Sequence, residues 1–172
     1  MKRIVFLLFF FTSFGISKID AQEFKVPENV TLNTKEDYIN TEKDVINAAK
    51  WLEATQLGKE MDKRIQVNAF VLKWLTGSST VTVEVNRFCT DLTDRNPHLL
   101  GVFLASFARY ALENNYSKDK LKGNTAAIKG MINCYNLGGE AKKNKLLDKA
   151  VEADKNGKLE EWVKENLDKN NE

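Results

Sequence analysis

Apolar residues recur every three or four positions along most of the chain, a period typical of amphipathic α-helices. A first helix is predicted to start at a Thr41 cap, with Asp44 three residues on as in a capping box, and to end at Gly58. Further helices are predicted at about 61–75, 125–135, 140–154 and 158–168.

The most apolar helix is expected at the centre of the domain. Asn96-Pro97 places a capping residue before a proline at the first helical position, which predicts a helix from about 97 to 114. This helix is apolar on nearly all sides, so other helices should surround it. Its uncharged run, 97–108, is too short to span a bilayer, which needs about 20 residues. The pattern predicts an all-α, single compact domain of five to seven helices around this helix.

The segment from Thr80 to Val85 fits two patterns. Its valines alternate with polar residues, as in a strand, but two of them also continue a helical stripe that reaches Leu92. A lone strand leaves its backbone groups unpaired, and no second strand candidate occurs in the sequence. We therefore expect an extended entry followed by a helix from about 83 to 92.

The first segment has the features of a secretory signal peptide. Lys2 and Arg3 precede an uncharged stretch, Ile4 to Ser17, that is too short for a transmembrane helix. Cleavage is expected after Ala21, leaving Gln22 as the new N-terminus. Cleavage after Ser17 and retention as an N-terminal anchor are the alternatives.

Export defines the expected domain organisation and location. The prediction is a signal peptide at 1–21, a polar lead-in at 22–40 that starts a turn of helix near Thr34 at most, and a helical domain at 41–172. The exported protein would be periplasmic or secreted, with no membrane span after signal removal.

Removal of the signal peptide would remove the net positive charge of the chain. The full sequence has a formal net charge of +2, whereas the part after residue 22 has 23 basic and 23 acidic residues. A neutral protein exerts no net attraction on nucleic acid, so nucleic-acid binding is not expected.

Cys89 and Cys134 are predicted to form a disulfide, because each lies on the apolar face of its predicted helix and export exposes thiols to oxidation. Two buried free thiols are the alternative. A closed loop of this length contributes about 4 kcal/mol in the chain-entropy account.

Candidate catalytic and metal-binding patterns are weak. His98 is the single histidine, which argues against a multi-histidine metal site and against a Ser–His triad. The residues from Glu152 to Val163 resemble a calcium loop but have Val163 where the bidentate glutamate belongs. No cofactor is predicted.

Three hypotheses for function follow. The first is a non-enzymatic protein that binds another protein, as inhibitors, immunity proteins and chaperones do. The second is a carrier in which the 97–114 helix lines a cavity for a small apolar ligand; a tightly filled core around Phe103 and Phe107 would rule it out. The third is a hydrolase that uses two carboxylates. Sequons at Asn29 and Asn115 are glycan sites only in a host that glycosylates exported chains.

Overall fold

Seven α-helices follow one another in the computed structural model of the chain, which describes residues 24–28 and 30–169. They are α1 Lys35–Ala54, α2 Met61–Gly77, α3 Arg87–Thr93, α4 Leu99–Glu113, α5 Lys120–Asn136, α6 Lys145–Lys155 and α7 Leu159–Asp168. The described residues form no strand; one isolated bridge joins Leu57 to Gly139. The predicted all-α class and number of helices are confirmed.

Helix α4 lies at the centre of the domain, as predicted. It packs against α1, α2, α3 and α5, and eight of its residues are buried, including Phe103 and Ala108. Its closest neighbour is α5, where Gly130 faces Ser106 of α4. A Cβ at Gly130 would overlap the Ser106 side chain, so glycine is what lets the two helices approach this closely.

The first helix starts earlier than predicted, and Thr41 is not its cap. Thr34 is the N-cap, and its hydroxyl accepts from the Asp37 N–H at 3.3 Å. The Asp37 carboxylate in turn accepts from the N–H groups of Asn33 and Thr34, both at 2.9 Å, which lowers the pKa of Asp37. Thr41 lies inside the helix and donates to the Asp37 carbonyl at 2.9 Å. The predicted lead-in therefore includes the first turn and a half of α1.

Asn96 does not cap α4, contrary to the prediction. The helix begins at Leu99, and the Asn96 side chain bonds the backbone of Lys142 instead, donating to its carbonyl and accepting from its N–H, both at 2.7 Å. This clamp joins the loop before α4 to the loop before α6.

Helices α5 and α6 also start where a capping residue acts. Asp119 accepts from the Lys122 N–H at 3.0 Å, so α5 begins five residues before the predicted 125. Asn144 accepts from Leu146 N and Leu147 N, so α6 begins at Lys145 rather than at 140.

The segment from Thr80 to Val85 is neither strand nor helix: Thr80 lies in a bend, and residues 81–85 have no regular secondary structure. The following helix starts at Arg87 rather than at 83, because Asn86 caps it by accepting from Cys89 N at 2.9 Å. Within the part of the chain that the structure describes, no helix has an apolar stretch of membrane-spanning length.

Candidate functional site

The predicted disulfide is absent from the structure, which has Cys89 and Cys134 as free, buried thiols. Helix α3, with Cys89, packs against α4 and α6, whereas the Cys134 thiol on α5 donates to the Thr55 carbonyl at the end of α1, at 3.4 Å. The two sulfurs thus serve different contacts. Burial raises the pKa of Cys89 to about 12, and it raises that of Cys134 despite the opposing effect of the nearby Arg64. The raised pKa values disfavour the thiolate form that nucleophilic chemistry requires.

Glu53 is a buried carboxylate whose oxygens are both occupied. Ser106 donates to its Oε1 at 2.6 Å, and Arg109 donates to its Oε2 at 3.0 Å. Arg109 also lies 3.7 Å from Glu113, which extends the network to the surface. These groups join α1 to α4, so the network stabilises packing and gives no support to the hydrolase hypothesis.

The best-formed cavity lies between the 79–86 segment, the end of α4, the start of α5 and the end of α7. Its volume is about 520 Å³, within the range of about 300–1,000 Å³ typical of small-molecule sites. We call it the lysine-rimmed pocket. Its lining is Ser79, Thr80, Val81, Thr82, Glu84, Asn86, Phe107, Ala111, Ser117, Lys118, Lys120, Leu121, Asn124, Lys164, Leu167 and Asp168.

The floor of the lysine-rimmed pocket is apolar. Val81, Phe107 and Ala111 are buried, and Leu121 and Leu167 are half-buried against the same core. Gly123 lies behind the Phe107 ring, and a Cβ at that position would lie 2.6 Å from ring carbons. Glycine at position 123 therefore leaves room for the Phe107 ring in the floor of the pocket.

The rim carries charge and hydrogen-bonding groups. Lys120 bonds both oxygens of Glu84, at 2.8 and 3.0 Å, and both side chains are largely exposed. Lys118, Lys164 and Asp168 complete the charged set. The 79–86 segment contributes six residues to the lining: Ser79, Thr80, Val81, Thr82, Glu84 and Asn86. No histidine or cysteine is among the lining residues.

Sequence reasoning placed part of this pocket. The carrier hypothesis expected the 97–114 helix to line a cavity, and Phe107 and Ala111 do so, while Phe103 is buried in the core away from it. The lysines and the α7 residues were not singled out. No sequence signal connects them, because the four walls come from segments far apart in the chain.

A second, more open groove of about 740 Å³ lies between α2 and a set of residues made up of 24–28 and Val30. Phe24 is buried in one wall, and Lys73 of α2 donates to the Val30 carbonyl at 2.9 Å. On the outside of α2, Ile65 and Leu72 are 58% and 56% exposed, with Ala69 between them. These residues form an apolar surface, the α2 stripe, with the two most exposed of the large hydrophobic side chains among the described residues.

Other predicted positions add no site. Ala21, Gln22 and Asn29 lie outside the described residues. His98 is exposed just before α4, and Asn115 is exposed in the loop before α5. Within residues 24–28 and 30–169, no group of three or more acidic, histidine or cysteine side chains could hold a metal ion, and the 152–163 stretch is no exception.

Comparison with known proteins finds no match to the chain among protein-family profiles, curated proteins or solved structures.

Proposed function

We propose that this chain is an exported, non-enzymatic binding protein that holds a small, partly apolar organic ligand in the lysine-rimmed pocket. The observation that carries the proposal is a cavity of about 520 Å³ whose floor is apolar and whose polar groups lie at the rim. Such a division buries the apolar part of a ligand and orients its polar part. The signal-peptide features of residues 1–21 support export.

The chemistry of the lining favours binding over turnover. Its acids are Glu84, which is held by Lys120, and Asp168, which lies on a different wall. An acid–base mechanism needs a paired donor and acceptor next to the reacting atom, and a nucleophilic one needs an activated side chain. The lining presents neither arrangement.

Filling the pocket tests the proposal. Thr82→Trp puts an indole into the pocket from an exposed wall position, and Thr90→Trp, on the exposed face of α3 outside the lining, is the matched control. The mature protein and both variants are isolated from the exported fraction of the native host, and native mass spectrometry measures bound mass. We expect a small-molecule adduct on the wild type and on Thr90→Trp, and little or none on Thr82→Trp. Equal adducts on all three, or no adduct on the wild type, would contradict the proposal.

A protein partner is the second candidate, and the α2 stripe favours it. Ile65 and Leu72 lie seven residues apart on one helix face, the spacing at which a partner helix would contact both. Replacing both by Glu should release any stably associated protein from the native complex. The Lys149→Glu/Lys155→Glu variant, which adds two Glu on the exposed face of α6, is the control for added acidic side chains and should keep the partner.

A further inference from the structure

The rim of the lysine-rimmed pocket has an unbalanced charge. It has three lysines, Lys118, Lys120 and Lys164, and two acids, Glu84 and Asp168. Because Lys120 and Glu84 neutralise each other across the mouth, the remaining set is two lysines and one aspartate. Among the described residues, no carboxylate lies within 4 Å of the Lys118 or Lys164 ammonium group.

This positive charge is local rather than a property of the whole surface. The chain after residue 22 is formally neutral, so there is no general attraction of anions to the protein. The excess positive charge at the mouth therefore favours a negatively charged group on the part of the ligand that stays exposed to solvent.

Resting on the proposed function, we infer that the ligand is an anionic single-chain amphiphile, with a carboxylate or similar acid group at one end. Its apolar chain lies on Phe107, Ala111 and Leu121, and its acid group lies between Lys118 and Lys164 at the mouth. The hydroxyls of Thr80 and Thr82 and the amides of Asn86 and Asn124 line the intermediate zone. A cationic amphiphile would meet two ammonium groups there that no carboxylate of the described residues pairs within 4 Å.

The test separates the head group from the chain. Decanoate, decanol and decyltrimethylammonium have matched chains and differ in charge, and isothermal titration calorimetry with the mature protein measures each dissociation constant. We expect decanoate to bind about tenfold more tightly than decanol, as two exposed ion pairs allow, and the cation to bind most weakly. Lengthening the carboxylate should strengthen binding about fourfold per methylene until the pocket is full.

Matched variants assign the preference to the rim. Lys118→Gln/Lys164→Gln should abolish the difference between decanoate and decanol by weakening the binding of decanoate. Lys149→Gln/Lys155→Gln removes the same charge from the exposed face of α6, away from the pocket, and should change neither ligand. High salt should weaken decanoate binding alone.

The outcomes distinguish this inference from the proposed function. Equal binding of decanoate and decanol, both blocked by Thr82→Trp, would overturn the anionic ligand and leave the pocket as a binding site. Failure of all three probes to bind would overturn both. If the protein instead sediments with vesicles of anionic lipid and decanoate does not compete, the source of the anion is a membrane, and the single-chain ligand is wrong.

Discussion

Asn144 performs two tasks at once, and their energies can be separated. Its side-chain oxygen caps α6 by accepting from Leu146 N at 2.8 Å and Leu147 N at 3.1 Å. Its amide nitrogen donates to the carbonyls of Asp91 and Leu92, both at 3.2 Å, and to the Asp94 carboxylate at 2.9 Å. Because the residue is 5% exposed, water does not readily replace these bonds.

Truncation of this side chain should destabilise the protein strongly. Loss of a cap costs about 0.5–2 kcal/mol, and each tertiary hydrogen bond contributes about 0.5–1.5 kcal/mol. Since one NH₂ group serves all three acceptors, we expect Asn144→Ala to lower the free energy of unfolding by about 2–4 kcal/mol. Asn144→Ser retains a capping oxygen but is too short to reach α3, so it should recover about 1 kcal/mol of that loss.

Urea unfolding followed by far-UV circular dichroism measures both changes. Asn133→Ala, on an exposed face of α5, is the control and should change stability by less than about 0.5 kcal/mol. An Asn144→Ala variant within about 0.5 kcal/mol of the wild type would refute the tertiary role. Equal losses for the alanine and serine variants would refute the cap.

Two further predictions concern the α4–α5 contact and the thiols. Gly130→Ala should lower the free energy of unfolding, measured in urea, by about 1–3 kcal/mol, because the new Cβ overlaps Ser106. This loss should outweigh the better helix propensity of alanine. A stabilised variant would show that α4 and α5 can separate at little cost. Burial raises the pKa of Cys89 to about 12 in the folded protein, whereas an unfolded-state thiol has a pKa of about 8.5. The neutral thiol therefore contributes its full stabilisation below about pH 8.5, and this contribution is lost as the pH rises toward the folded-state pKa. Cys89→Ala should therefore flatten the alkaline decline measured by urea unfolding from pH 8 to 10, and an unchanged slope would contradict the buried neutral thiol.

Hydrophobic periodicity was enough to predict the class of fold, because the central helix and α2 are encoded by their own apolar stripes. Capping residues were harder to place, because local sequence offers several equivalent candidates. Thr34 and Thr41 each precede an aspartate by three residues, and α1 uses the first. Tyr38 explains the choice: its ring packs against Trp74 of α2, with centroids 6.0 Å apart, and holds the first turn of α1 on the domain.

Side-chain contacts between distant segments could not be predicted either, because local sequence does not show which segments will meet. Asn96 had the right type and position for a cap, but the backbone of Lys142, 46 residues away, takes its hydrogen bonds. The lysine-rimmed pocket is a still stronger example, because its charge balance depends on Lys118 of the loop before α5 and Lys164 of α7 lining one cavity. Composition revealed only that the chain after residue 22 is formally neutral.

Helix α7 makes the lysine-rimmed pocket depend on a segment that one exposed turn joins to the preceding helix. Lys164 and Leu167 belong to α7, which joins α6 through the exposed Asn156-Gly157 turn, where Gly157 has a φ of +69° and no neighbour within 4 Å of a Cβ position. The rest of the lining comes from residues 79–124, so a separate segment of the chain completes the cavity. A protease that cuts this turn would leave α7 held only by its packing on α5 and α6, so one wall of the pocket and Lys164 would then depend on that non-covalent contact.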